Sequence, residues 1–138
     1  MPRSWKASSV ADPIEVHLVA TDREVWTGEA KLVSFETFDG EVGIMPGHSP
    51  LMAQLRDGAV LIRPPEGDDI HAAVHTGFAL VDAGTCIILA ESAELASEID
   101  IAQAKSLLAE AEGSEPSDSA TAAERRAEVR LKVAEKSQ

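Results

Sequence analysis

Cysteine, basic charge and long apolar runs are all scarce in this chain. Cys86 is the only cysteine among 138 residues. An intrachain disulfide is therefore impossible, and a reducing compartment is the expectation. Cys86 sits in the apolar run TCIILA with no basic neighbour to stabilise a thiolate, so it reads as a small buried hydrophobe rather than a nucleophile. Only 12 lysines and arginines face 24 acidic residues, a net charge of -12. That charge repels phosphate backbones and anionic headgroups, which argues against nucleic acid as a partner and against direct lipid insertion. The charge is -8 up to Ala93 and -4 after it, so neither part is basic. No stretch approaches the roughly 18 apolar residues of a membrane span, and the N-terminus lacks the apolar run of a signal peptide. A role at a membrane has to come through a protein partner.

What is present divides into two textures. Residues 1–13 are polar, carry two prolines, and read as a disordered extension. Over residues 14–93 the apolar pattern has a period of two, as in Ile14, Val16, Leu18 and Ala20, or Ile70, Ala72 and Val74. Turn signals such as Thr27-Gly28, Asp39-Gly40, Asp57-Gly58 and Ala83-Gly84 separate these runs. Eight to ten short strands at this spacing predict an all-β sandwich or flattened barrel.

Residues 94–138 are rich in Ala, Glu, Lys and Arg, and predict a helical hairpin. Ser97 with Asp100, and Thr121 with Glu124, form capping-box patterns that would open helices over 98–112 and 121–135. Ile101, Ala104, Leu108 and Ala111 share one face of the first helix; Ala123, Ala127, Leu131 and Ala134 share one face of the second, with Arg125, Arg126, Arg130 and Lys132 largely elsewhere. Such narrow stripes predict marginal helices with reversible docking.

Candidate chemistry is thin. His48 and Ser49 suggest a hydrolase, but adjacent residues of an extended segment point apart and cannot share a proton. Neither a GxSxG elbow nor a GxxxxGK[ST] phosphate loop occurs. His71 and His75, on one strand, would stand about 13 Å apart and cannot chelate one ion. No metal site is expected, and the four histidines read as surface residues.

The densest punctuation lies in residues 40–55, GEVGIMPGHSPLMAQL, where three glycines and two prolines alternate with apolar residues. Pro46 and Pro50 deny ladder hydrogen bonds and stiffen the loop around His48, so the segment builds a shaped surface rather than a reactive centre.

This run resembles the GELGILPGHAPLL segment of the epsilon subunit of bacterial F-type ATP synthases. Further landmarks follow in order: Val25-Trp26-Thr27-Gly28-Glu29-Ala30, Asp57-Gly58-Ala59-Val60, His75-Thr76-Gly77-Phe78, residues 87–94 and Glu98-Ile99-Asp100. The resemblance spans about residues 14–112. It implies a ten-stranded sandwich followed by a helical hairpin, working as a non-catalytic central-stalk subunit that couples proton-driven rotation to ATP synthesis elsewhere. Implied partners are the gamma subunit and the c-ring, with Glu41, Gly47, His48, Ser49 and Pro50 toward them. The alpha and beta subunits would meet the hairpin through Arg125, Arg126, Arg130 and Lys132 when it inhibits ATP hydrolysis. The implied location is peripheral, on the cytoplasmic face of the bacterial cell membrane. Some family members bind ATP through a pattern similar to [IL]DxxRA; here Ile99, Asp100 and Ala104 match but Gln103 replaces the arginine. Loss of that guanidinium predicts weak or absent ATP binding and no cofactor. The alternative is an independent β-sandwich binding module with a helical oligomerisation tail.

Overall fold

The computed structural model describes residues 12–136. Most of the N-terminal extension expected over residues 1–13 lies outside the described residues. Eight strands come first: β1 (Ile14–Ala20), β2 (Arg23–Ala30), β3 (Leu32–Thr37), β4 (Gly40–Ile44), β5 (Leu51–Leu55), β6 (Gly58–Arg63), β7 (Ile70–Asp82) and β8 (Thr85–Leu95). A short 3-10 turn, Ala96–Glu98, leads to helices α1 (Ile101–Gly113) and α2 (Asp118–Lys136). The order across the sheet is β2-β1-β8-β7-β5-β3-β4, with β6 joined to both β3 and β7. The pairings are antiparallel except that of β1 with β8, which is parallel.

The count is eight rather than about ten because β7 and β8 each serve two layers. Side chains of a strand alternate sides, so a strand that crosses from one layer to the other must switch the parity of its inward residues. In β7 the core-facing residues are Ala72 and Val74, then Ala79 and Val81; in β8 they are Cys86, Ile88 and Ala90, then Ala93. Leu55 of β5 and Val60 of β6 show the same switch around Arg56 and Asp57. All three switches fall in one row. There the chain turns the corner of the sandwich, and Thr76 adopts φ 58° to do so, an uncommon conformation for a β-branched residue.

Between the layers the core is mainly aliphatic, with Leu18, Ile44, Leu55, Ile62 and Ile88 fully buried alongside the aromatic ring of Phe35. Cys86 is buried among them as a free thiol. Gly28, expected at a turn, lies inside β2 opposite Val16. A Cβ there would come within 2.7 Å of the Trp26 ring, so this glycine makes room for an indole.

Both helices begin elsewhere than the capping patterns predict. Asp100 caps α1 itself, its Oδ1 accepting the Gln103 N–H at 3.0 Å, and the 3-10 turn takes up Glu98. Ser117 caps α2, its hydroxyl accepting the Ala120 N–H at 3.0 Å. Side-chain caps compete within a few residues, and the one that leaves the chain free to dock wins. In α1 Ala104 and Ala111 are buried, and in α2 Ala127, Val133 and Ala134. Small residues let α2 approach the sheet closely, and it packs on β7, β6 and α1.

Candidate functional site

α2 lies along the outer side of the layer formed by β6, the first half of β7 and the end of β8. At the corner of the sandwich it meets an acid. The Asp57 side chain is only 2% exposed and accepts hydrogen bonds from Arg125 Nε at 2.9 Å and from the Thr76 hydroxyl at 3.2 Å. Arg126 Nε stands 3.7 Å from the same carboxylate, too far for a hydrogen bond, and it finds no other partner among the described residues. The Arg126 fork also reaches toward Glu91, 3.8 Å away. Burial alone pushes the Asp57 carboxyl up, but the Arg125 hydrogen bond, the two guanidinium charges and the Thr76 hydroxyl outweigh it and hold it below the ordinary carboxylate range.

Two residues toward the start of β7 from Gly77, the clasp continues. Arg130 donates to Glu94 on β8, and the same carboxylate lies 3.8 Å from His75 Nε2. His75 is fully buried, and neither ring nitrogen has a hydrogen-bond partner among the described residues. Its expected surface position is thus corrected: the even residues Ala72 and Val74 face the core, so odd-numbered His75 faces outward, where α2 covers it. Gly77 closes the corner. A Cβ there would stand 2.2 Å from the Leu89 carbonyl oxygen, a separation that only glycine avoids.

A second fastening holds the segment between sandwich and hairpin. Arg23, the first residue of β2, grips Glu98 with two nitrogens at 2.7 and 3.0 Å and donates to the Ala93 carbonyl at 3.2 Å. Glu98 also accepts the Leu95 N–H at 2.9 Å. The Arg23 hydrogen bond is the main reason that Glu98 is held below its ordinary range. Sequence reading missed this pair, since 75 residues separate its members; it equally missed the role of Asp57, which reads there as half of an Asp-Gly turn and part of a family landmark.

Arg125, Arg126 and Arg130 are therefore brought together, while Lys132 is not with them. Lys132 lines a groove with Glu36, Glu41, Arg56, His71 and Lys136. Glu41 accepts a hydrogen bond from Ser34 at 3.0 Å. Residues Val42, Gly43 and Ile44 of β4 separate it from the loop of Gly47, His48, Ser49 and Pro50, so the two groups sit at opposite ends of that strand. The loop itself is exposed, and Gly47 adopts φ 88°. Its shape is fixed internally: the His48 N–H donates to the Met45 carbonyl at 3.1 Å, and His48 Nδ1 lies 2.6 Å from the Ser49 carbonyl. The imidazole thus engages the main chain and not the Ser49 hydroxyl, which removes the serine-hydrolase arrangement. Among the described residues no three His, Cys, Asp or Glu side chains gather as a metal would require.

The family model for the ATP synthase delta/epsilon chain, beta-sandwich domain, matches residues 13–96. The chain belongs to this family. It is 50% identical over 110 residues to the ATP synthase epsilon chain of Nocardia farcinica, covering 79% of this chain and 84% of that one. Against the ATP synthase epsilon chain of Streptomyces griseus it is 48% identical over 124 residues, covering 90% and 97%. Among solved structures, a chain of the Euglena gracilis mitochondrial ATP synthase (OSCP/F1/c-ring) superposes with TM-score 0.69 at 23% identity, covering 91% of this chain and 79% of that one. A chain of the Tetrahymena thermophila mitochondrial ATP synthase central stalk and c-ring gives 0.59 at 16% identity, covering 91% and 96%. These two likenesses establish the fold.

Within this family frame, three of the four positions of the degenerate nucleotide pattern have distinct settings. Ala104 is buried in the helical packing, Gln103 is exposed, and the Asp100 carboxylate is engaged as the cap of α1. Arg125 and Arg130 are hydrogen-bonded to acids of the sandwich, and Arg126 stands between two more distant carboxylates, Asp57 and Glu91.

Proposed function

We propose that this chain is a non-catalytic rotor subunit of an F-type ATP synthase, docked between a gamma subunit and a c-ring on the cytoplasmic face of the membrane. It transmits rotation, and the chemistry belongs to other subunits. One observation supports this beyond family membership. Met52, Phe78, Leu80 and Leu89 are 71, 53, 41 and 53% exposed, and they adjoin one another across β5, β7 and β8, with Met52 opposite Leu80 and Phe78 opposite Leu89. A contiguous apolar face of this kind marks a protein partner, and gamma is the occupant proposed. The stiff loop at Gly47, His48, Ser49 and Pro50 is the proposed contact with the ring and the foot of gamma. Glu41, at the far end of β4, belongs to a different side of that contact. No helix among the described residues is long and apolar enough to cross a membrane, so attachment through such subunits is the reading.

The hairpin as described is the docked form. Inhibition of ATP hydrolysis would require α2 to leave the clasp, which would free Arg125, Arg126 and Arg130 for acidic surfaces of the alpha and beta subunits, with Lys132 beside them. ATP binding is proposed to be weak or absent. Co-purification with gamma tests the docking: Phe78→Glu and Leu89→Glu should weaken capture on the order of a hundredfold, since each places a charge at an apolar interface. Unchanged capture would sink the assignment of this face.

A further inference from the structure

His75 is a fully buried titratable side chain that the clasp surrounds, and among the described residues it has no hydrogen-bond partner. Four charged groups face it from three directions: Asp57 from the β5–β6 corner, Glu94 from β8, and Arg126 and Arg130 from α2. The two acids are already engaged, Asp57 by Arg125 and Glu94 by Arg130. A proton on the imidazole would therefore place a third cation beside two guanidinium groups, in a site sealed from water by α2. When α2 lifts away, the same imidazole reaches solvent and nothing opposes its protonation.

We infer that the seat of α2 on His75 is an acid-opened latch, so that mild acidification releases the C-terminal hairpin from the sandwich. The direction follows from linkage. Burial first, and then the Arg130 and Arg126 charges, lower the docked imidazole from 6.5 to about 4, with Asp57 and Glu94 pulling the other way. The undocked form takes up a proton near pH 6.5, the ordinary value for an exposed histidine. A group depressed in the docked form stabilises docking fully above the higher value and loses that stabilisation as pH falls toward the lower one. Between pH 7.5 and 5.5 the opening equilibrium constant should rise about tenfold, from this one proton. Asp57, also held low by its arginines, adds a loss in the same direction only at still lower pH. The latch deepens the regulatory part of the proposed function, yet it is a property of this chain alone, so its failure would leave the rotor reading intact.

Amide hydrogen exchange of the isolated full-length chain tests it. Protection of the α2 amides at Ala127 and Val133, corrected for the intrinsic pH dependence of exchange, should fall about tenfold from pH 7.5 to 5.5 in the parent. In His75→Asn, which carries no titrating ring, the same protection should change less than twofold. A flat parent profile, or an unchanged slope in the variant, overturns the proposal. Should His75→Asn fail to fold, NMR titration of the parent imidazole decides: half-protonation below about pH 5 supports the latch, and titration near the ordinary histidine value refutes it.

Discussion

Arg125 of α2 and Asp57 of the β5–β6 corner, 68 residues apart in sequence, meet through a 2.9 Å hydrogen bond. The carboxylate is nearly sealed while the guanidinium keeps half its exposure, so the acid is the member whose loss matters more. Removing it strands Arg126 Nε, which is buried and has no other partner among the described residues.

Asp57→Asn should loosen α2 without unfolding the sandwich. The asparagine keeps the shape and the Thr76 contact but not the charge, so docking should weaken by about 1–3 kcal/mol, the scale of a charge-assisted hydrogen bond at a buried group. Hydrogen exchange of α2 against that of β1 reads the difference. Equal loss of protection in both elements would mean that the clasp supports the whole fold instead.

Gly77→Ala should damage the sandwich itself. The new Cβ would have to displace the Leu89 carbonyl, a backbone atom 2.2 Å away, and backbone yields less readily than a side chain. Urea denaturation should show a loss of about 3 kcal/mol, the upper end of the usual cost of overpacking.

Cys86 should be silent to thiol reagents in the native protein. Burial raises its thiol to about 11, so the reactive thiolate is scarce and the sulfur is covered. Labelling should follow the rate of unfolding and accelerate in urea. The raised value also means that stability present below pH 9 declines toward pH 11, as the unfolded chain ionises first. Rapid labelling in dilute buffer would contradict the burial.

Arg23→Ala should release the linker. The Leu95 amide donates to the Glu98 carboxylate that Arg23 positions, so its exchange should speed up while amides in β1 keep their protection. The comparison separates a local fastening from a general one.

Much of this was legible in the linear chain. The period-two runs gave the strands, because a half-buried sheet dictates alternation whatever its neighbours are. The change in composition after Ala93 gave the helices. The buried Cys86 followed from its apolar run. Three readings went astray, each for its own reason. His75 alternates correctly for a surface position, and a one-dimensional pattern contains no sign of which face a later helix will cover. Glu98 reads as a helix start because Ser97 and Asp100 are both competent caps, and only Asp100 is used. β7 reads as two short strands because inward parity reverses at the corner of the sandwich.

The sequence by itself determined the class of element over most of the chain, though it read the strand β2 as a turn, and, through the glycine and proline spacing of residues 40–55, the family. Local preferences for turn, strand and helix act within a few residues, and they are written where they act. Only the tertiary structure decided that the arginines of α2 close on Asp57 and Glu94, that Arg23 fastens the linker, and that His75 lies sealed beneath the helix. Those outcomes rest on charge pairing and desolvation between groups that the chain brings together only when both layers and the hairpin have packed.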